Sequence, residues 1–432
     1  DHEVNLKIWL DTEVNAGNLV EDKRNQILND MTGDVEELVL RDNRLQTHLL
    51  VREAQAQNDA TTLDAYAALI ASLEAEGAVN RELEQLPSVT DLARRKAEAR
   101  GLTTPELAVV VANVKNRFKR LLAAVNLTER PWAEAMLKPY FPPMMVLSRK
   151  SLDHPLANTI LATVLANESV NRCGPLMIAE LAKSHGIAEV EVVQAWAEAW
   201  ITLNLGPVFD ALDDDALHVP RDVSVKVDGR TRSLQKAMIE GVLSVPSTQL
   251  HAGSGLQELQ ALFSDPVMVA KLSPANDADA SAGMPAKFAA AWKTVEAIEG
   301  VAAFLFASLS VSRPAGMDLA AFLQLGMQLR GTTGIAALER GLKAGRGTQA
   351  QQQLRDYAQQ ALRRAQQRLL SQMLAGANGK DAQAALNGVV AALASNGYVH
   401  AAQSSGVEVA PEQTMLEAWT LAEAANRVSL AA

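Results

Sequence analysis

The chain has 432 residues, with 50 acidic and 40 basic side chains and a formal net charge of −10 at pH 7. This charge repels phosphate backbones, so we expect no nucleic-acid partner. The single cysteine, Cys173, excludes an internal disulfide framework, and no apolar run reaches the ~20 residues of a membrane span, so we expect a soluble cytoplasmic chain without a membrane partner.

The composition favours helices. Apolar residues make up 48% of the chain but aromatic residues only 4%, so most of the core must come from Ala, Leu and Val. Such side chains favour close-packed helices over aromatic-rich sheets. The sequence therefore predicts an all-α fold, as a multi-helix bundle or array.

The first residues raise the question of a metal site. The stretch His2-Glu3-Val4-Asn5-Leu6 lacks the second histidine of the zinc-protease signature H-E-x-x-H, in which histidines at i and i+4 hold the metal. The other histidines are scattered, so we predict no metal site. Because the chain starts with Asp1 rather than Met and a helical pattern is already under way, we expect a piece of a longer polypeptide.

Polar residues interrupt two helical stripes. The apolar pattern between Val35 and Leu50 is broken by Arg41-Asp42-Asn43, which either faces solvent or belongs to a buried polar network. A later helix, starting after Asp153-His154-Pro155, carries Asn167 and Asn171 at apolar positions of its stripe. Amides at this i, i+4 spacing indicate a hydrogen-bonded helix crossing. We therefore predict a buried polar network of Asp42, Asn43, Asn167 and Asn171.

The stretch Gly101 to Leu107 contains the clearest helix boundary. Gly101 ends one helix, Thr104 can cap the next, and Pro105 suits the first helical position. An apolar face follows and consists of Leu107, Val110, Val114, Phe118 and Leu121.

The middle of the chain departs from the helical pattern. Residues 223–230 alternate and end in Asp228-Gly229, which predicts a short β-hairpin near residues 223–232. Residues 271–284 are small, polar and aperiodic and predict a linker or exposed loop. The linker separates a main helical region, residues 31–270, from a C-terminal helical region, residues 285–432.

Signatures of a self-contained enzyme are missing. Neither a dinucleotide-binding glycine motif nor a phosphate loop occurs between a strand and a helix, so we predict no catalytic and no cofactor-binding residues in this chain. A basic stripe on one late helix is the remaining candidate, and we interpret it as a solvated face, with contact to an acidic partner as the alternative. The stripe consists of Arg355, Arg363, Arg364 and Arg368.

Several stretches occur together in a specific order and spacing. They are Asp1 to Ile8, Leu40 to Asn43, Arg81 to Pro87, Gly101 to Ala108, Tyr140 to Pro142, and His154-Pro155-Leu156 through Asn167 to Asn171-Arg172-Cys173-Gly174. Over about residues 1 to 215, the chain thereby resembles the C-terminal part of the large bacterial NAD-dependent glutamate dehydrogenases.

The resemblance implies where the chain lies in such an enzyme. Residues 1–30 correspond to the tail of the catalytic domain and a connecting helix, so His2, Glu3 and Asn5 lie at the rim of the substrate site or serve helix packing. The family's catalytic lysine and aspartate lie upstream, as do its dinucleotide-binding glycines. NAD is thus expected in the full-length enzyme and not on this chain alone.

The resemblance also implies an activity and partners. The full-length enzyme converts L-glutamate, NAD and water to 2-oxoglutarate, ammonia and NADH, while this region has a structural and oligomerisation role and is inactive alone. Its expected partners are the upstream catalytic domain of the same polypeptide and further copies in a homo-oligomer.

Two rival interpretations remain. The first is a free-standing helical scaffold for protein interaction that binds through Asp42, Asn43 or the face carrying Arg363. The second is a self-contained enzyme that uses His2 and Glu3 with remote ligands, against which the missing phosphate loop and ligand pairs argue.

Overall fold

The computed structural model describes residues 1–56, 60–147, 149–270, 283–344, 349–377, 382–399 and 411–428. These residues form 22 α-helices, and no strand occurs among them, which confirms the predicted all-α fold. Of the predicted linker, residues 271–282 lie outside the described residues. Among the described helices, none is both long and apolar enough to cross a membrane.

The helices are numbered here in chain order. The first twelve are α1 (His2–Asn15), α2 (Glu21–Asp30), α3 (Thr32–Gln55), α4 (Ala60–Ala75), α5 (Val89–Ala97), α6 (Thr104–Ala123), α7 (Ala133–Leu137), α8 (Ala157–Cys173), α9 (Met177–His185), α10 (Glu189–Thr202), α11 (Leu205–Asp214) and α12 (Arg221–Leu243). The others are α13 (Ser247–Leu250), α14 (Gly255–Phe263), α15 (Pro266–Ala270), α16 (Ala286–Glu299), α17 (Ala302–Ser308), α18 (Leu319–Thr332), α19 (Ile335–Ala344), α20 (Gln349–Ala377), α21 (Ala382–Ser395) and α22 (Pro411–Arg427).

The first of two compact units comprises Asp1–Ile201, Leu205–Ile239 and Met284–Phe288. Helices α6 and α8 pack along each other in this unit, and α3 contacts both. The face of α6 turned to the core carries the predicted apolar residues except Leu121, which is 41% exposed. Buried side chains recur at three- and four-residue steps along α6, as expected for an amphipathic helix.

The start of α6 lies one residue before the predicted position. Thr103, not Thr104, is the N-cap: its Oγ1 accepts from the N–H of Glu106 at 3.5 Å, and Glu106 Oε2 accepts from the N–H of Thr103 at 2.7 Å. Such a capping box satisfies two helix-terminal donors that otherwise lack partners. Arg95 of α5 pairs with both carboxylate oxygens of Glu106, at 2.7 and 2.8 Å, and so ties α5 to this helix start.

The second unit comprises Thr202–Asn204, Glu240–Gly283 and Ala289–Ala432. Its central element is α20, which contacts α17, α18, α19, α21 and α22. One passage of the chain from the first unit to the second lies inside α12, between Ile239 and Glu240. The predicted division at residues 271–284 stays a prediction.

The predicted β-hairpin near residues 223–232 is wrong, because α12 runs through it without a break. Val223 is half-buried and Val227 buried, while Val225 between them is 50% exposed. The alternating run contains an i, i+4 pair, and buried Leu234 continues that helical stripe. Gly229 therefore lies inside the helix and not in a turn.

Substitution of two glycines in α12 tests whether this helix runs through residues 223–232. Gly229→Ala is expected to increase the free energy of unfolding by about 0.5–1 kcal/mol, because alanine is the better helix former and a Cβ there meets nothing within 4 Å. Gly241→Ala in the same helix is expected to cost on the order of 1–3 kcal/mol, since its Cβ would lie 2.9 Å from the Cα of Ala303. Urea unfolding measures both changes in free energy, and a destabilised Gly229→Ala variant would indicate that residue 229 lies in a turn.

Candidate functional site

Residues at the start of α1 pack against the segment around Tyr140. The His2 side chain, 9% exposed, stacks on the Tyr140 ring with centroids 4.2 Å apart. Its Nδ1 lies 3.0 Å from the Tyr140 carbonyl oxygen and its Nε2 lies 3.3 Å from Asp42 Oδ2. Both ring nitrogens of His2 therefore face oxygen acceptors within the chain.

Asn5 extends these contacts towards α8. Its Nδ2 donates to the Tyr140 hydroxyl at 2.7 Å, and its carbonyl oxygen lies 2.9 Å from Nε2 of His154. Because the Leu156 N–H donates to Nδ1 of His154, the ring hydrogen sits on Nε2, which donates to Asn5. Burial lowers the pKa of His154, which favours this neutral form.

Glu3 does not join this group. Its carboxylate is 64% exposed and pairs with Lys7 Nζ at 2.6 Å, one turn along α1. Of the three residues predicted for a substrate-site rim, the structure brings together His2 and Asn5, and the rim itself stays a prediction. Among the described residues, no group of three or more His, Cys, Asp or Glu side chains is placed to hold a metal ion.

Lys115 of α6 is a buried amine beside this group. The residue is 9% exposed, and its Nζ donates to Oε1 of Gln46 at 3.3 Å. Burial lowers the pKa of Lys115 to about 8, although the charges of Asp42 and Glu168 oppose the shift.

A largely buried charge network crosses the first unit and consists of Arg41, Arg52, Glu53, Glu168, Arg172, Asp213 and Arg232. The side chains of Arg41 and Arg232 are only partly buried. Its most buried member is Glu53, with a side chain only 1% exposed. Oε2 of Glu53 accepts from the Tyr66 hydroxyl at 2.7 Å, and Oε1 pairs with Nη2 of Arg232. Arg52 Nη2 donates to the carbonyl oxygen of Asn171 at 2.9 Å, which links α3 to α8.

The other half of the network surrounds Arg172. Arg172 Nη1 lies 2.7 Å from Asp213 Oδ2, and its Nε lies 3.6 Å from Glu168 Oε2. Its guanidinium also lies 5.0 Å from the ring centroid of Phe209, a cation–π distance. Glu168 in turn accepts from Arg41 at 2.7 Å, and this carboxylate raises the pKa of Arg41 although burial opposes the rise.

Gly174 leaves the space in which Glu53 and Arg232 form their ion pair. Its φ is +82°, and a Cβ there would lie 2.6 Å from Glu53 Oε1 and 2.7 Å from Arg232 Nη2. Only glycine combines this backbone conformation with the required space. Next to it, Cys173 is fully buried, and burial raises the pKa of its thiol to about 12.

The predicted buried network of Asp42, Asn43, Asn167 and Asn171 is wrong in its membership. Asp42 and Asn43 are exposed and Asn167 is half-buried, so only Asn171, 6% exposed, has the predicted environment. Helical geometry explains the error, because each residue turns the side-chain direction by about 100°. On α3 it is Arg41 that points inward.

Sequence reasoning missed the charged members of the network. One signal was present: Glu53 continues the i, i+4 stripe of Leu45 and Leu49, both buried, so its carboxylate had to be buried as well. Its partner Arg232 is 179 positions away in the sequence, and no local pattern indicates that pairing.

The predicted solvated basic face of α20 is wrong for two of its four arginines. Arg355 is 2% exposed and Arg363 9%, whereas Arg364 and Arg368 are exposed. Arg363 Nη2 pairs with Glu240 Oε2 at 2.6 Å, inside the second unit. The face carrying Arg363 is therefore not available to a partner.

Comparison with known protein families shows which family this chain is related to. A family model described as "Glutamate dehydrogenase, C-terminal" matches residues 99–396. The chain belongs to this family. A second model, described as "Bacterial NAD-glutamate dehydrogenase, catalytic domain", matches residues 1–53. The resemblance found in the sequence is thereby confirmed.

Curated relatives with the name NAD-specific glutamate dehydrogenase support this membership. The protein from Mycobacterium tuberculosis is 32% identical over 264 residues, which cover 61% of this chain and 16% of the relative. Those from Halomonas elongata and Pseudomonas aeruginosa are each 34% identical over 52% of this chain and 14% of their own length. The chain thus spans about a sixth or less of these relatives.

The buried charge network gives a stability test. Glu53→Gln is expected to lower the free energy of unfolding by on the order of 2–4 kcal/mol, because Arg232 and Arg52 lose a buried counter-charge; the partial exposure of Arg232 reduces the cost. Glu423→Gln, in an exposed pair with Arg427, is the matched control and should change it by less than about 0.5 kcal/mol. Equal effects in urea unfolding would contradict the network's role.

Lys115 gives a pH test. Its pKa in the folded protein, about 8, lies below the ordinary 10.5. Between these two pH values the unfolded chain still holds the proton that the folded protein has lost, so the contribution of Lys115 to the free energy of unfolding rises with pH over this interval. Lys115→Met should remove this rise and stabilise the protein at pH 7 by on the order of 1–2 kcal/mol. Unfolding curves at several pH values measure both effects, and parallel profiles for the two proteins would disprove the buried charge.

Proposed function

We propose that this chain is the C-terminal helical part of an NAD-dependent glutamate dehydrogenase. The full-length polypeptide would convert L-glutamate, NAD and water to 2-oxoglutarate, ammonia and NADH. Support comes from the family membership, from the catalytic-domain match over residues 1–53, and from relatives that are NAD-specific glutamate dehydrogenases. The part of those relatives that this chain does not cover has room for a complete catalytic domain.

One observation carries the proposal. The buried charge network joins residues of the catalytic-domain match to residues of the C-terminal match. Arg41, Arg52 and Glu53 belong to the first, while Arg172 and Arg232 belong to the second. A buried ion pair is costly unless its geometry is closely kept, so it fixes the orientation of the helices that carry it.

This arrangement supports a structural role for the chain. By fixing α3, the helical body would hold the end of the catalytic domain in place, and it would be inactive without the upstream residues. NAD would bind upstream on the same polypeptide, which we place in the cytoplasm as a homo-oligomer. His2 and Asn5 would position the tail of the catalytic domain through Tyr140 and His154.

The test compares two polypeptides, the product of the complete native reading frame and this chain alone. Glutamate-dependent NADH formation, followed by absorbance, is expected for the first and absent for the second, with circular dichroism to show that both are helical. The reading frame upstream of the Asp1 codon is expected to encode a dinucleotide-binding glycine loop.

Two results would contradict the proposal. A start codon directly before Asp1 would make the free-standing helical scaffold the leading interpretation. Turnover by the chain alone would favour the self-contained enzyme instead.

A further inference from the structure

Helix α3 has a long outer face without charge. Between residues 39 and 54, an arc of about 120° on the exposed side of this helix, bordered by the exposed Arg44, carries only uncharged side chains. These residues, which we call the outer face of α3, are Val39, Leu40, Asn43, Thr47, Leu50, Val51 and Ala54.

Three apolar residues of this outer face are open to solvent, while Leu50 and Ala54 are half-buried. Val39 is 43% exposed, and Leu40 and Val51 are each 51% exposed. Neighbouring α2 shows the ordinary alternative: it also has no buried residue, but it carries Glu21, Asp22, Lys23 and Arg24. An exposed face that lacks charge over four turns is typical of the core of an interface, where charged residues are depleted.

The opposite side of α3 packs into the first unit. Leu45 and Leu49 are buried in the first unit, and Glu53 is held by Tyr66 and Arg232. The helix is thus fixed from within, so its outer face is presented in a defined orientation, and a preformed surface binds with little ordering cost.

We propose that the outer face of α3 packs against the part of the catalytic domain that lies outside this chain. The inference rests on the proposed function and adds a specific contact surface to it. All of the face except Ala54 lies within residues 1–53, which the catalytic-domain model matches. The chain covers only 14–16% of its relatives, so most of that domain lies elsewhere in those polypeptides.

The chemistry of the face agrees with such an intramolecular partner. Leu40 and Val51 offer apolar area at its two ends, while Asn43 and Thr47 between them can pair with polar groups that packing would desolvate. Contacts between domains of one polypeptide commonly combine apolar and uncharged polar groups in this way.

Cysteine labelling tests the contact, because the native Cys173 is buried and its thiol is poorly ionised. Leu40→Cys and Val51→Cys would each be labelled with a maleimide, in this chain alone and in the complete polypeptide, and the label at each position read by peptide mass spectrometry. Val225→Cys on α12 is the matched control, since Val225 is 50% exposed and lies off this face.

Packing of the catalytic domain should slow labelling at positions 40 and 51 in the complete polypeptide by on the order of ten-fold or more, relative to this chain, with position 225 unchanged. Equal rates at positions 40 and 51 in both polypeptides would overturn the inference. So would protection that appears in this chain alone and grows with its concentration, because the face would then join two copies.

The outcome is separable from that of the proposed function. If the complete polypeptide reduces NAD with glutamate while positions 40 and 51 stay fully reactive, only the contact surface is wrong. If it neither turns over glutamate nor protects these positions, the proposed function and the contact both fail.

Discussion

The structure of the first unit depends on the removal of the Glu53 carboxylate from water. A buried charge costs several kcal/mol unless hydrogen bonds and an opposite charge compensate it. Tyr66 supplies the hydrogen bond, Arg232 the charge, and Gly174 the space in which the two meet. Helix α3, the end of α8 and α12 are thereby held in one arrangement, which apolar packing alone would specify less strictly.

This constraint connects regions that family comparison separates. The match to a bacterial NAD-glutamate dehydrogenase catalytic domain ends at residue 53, the position of the buried carboxylate itself. The C-terminal match begins at residue 99 and contains Arg232, which pairs with Glu53, as well as the pair of Arg172 and Asp213. The boundary between the two matches is therefore a boundary of sequence families and not a gap in the packing of the first unit.

The features that could be predicted from the sequence are those that depend on nearby residues. The all-α fold and the apolar face of α6 could be derived, because composition, capping and helical period act over a few residues. The hairpin prediction failed because five alternating residues also contain a helical pair, and the longer helix prevails. The charge network was missed because its partners meet only in three dimensions, and Asn43 was misplaced because inward and outward positions on a helix are close neighbours in sequence.

Gly174 has a consequence for how this family can change over time. Any larger residue at position 174 would collide with the pair formed by Glu53 and Arg232, and the backbone there would be strained as well. Loss of either charged partner leaves the other uncompensated. The two charged positions therefore cannot change one at a time, and a larger residue at position 174 requires that both have been replaced.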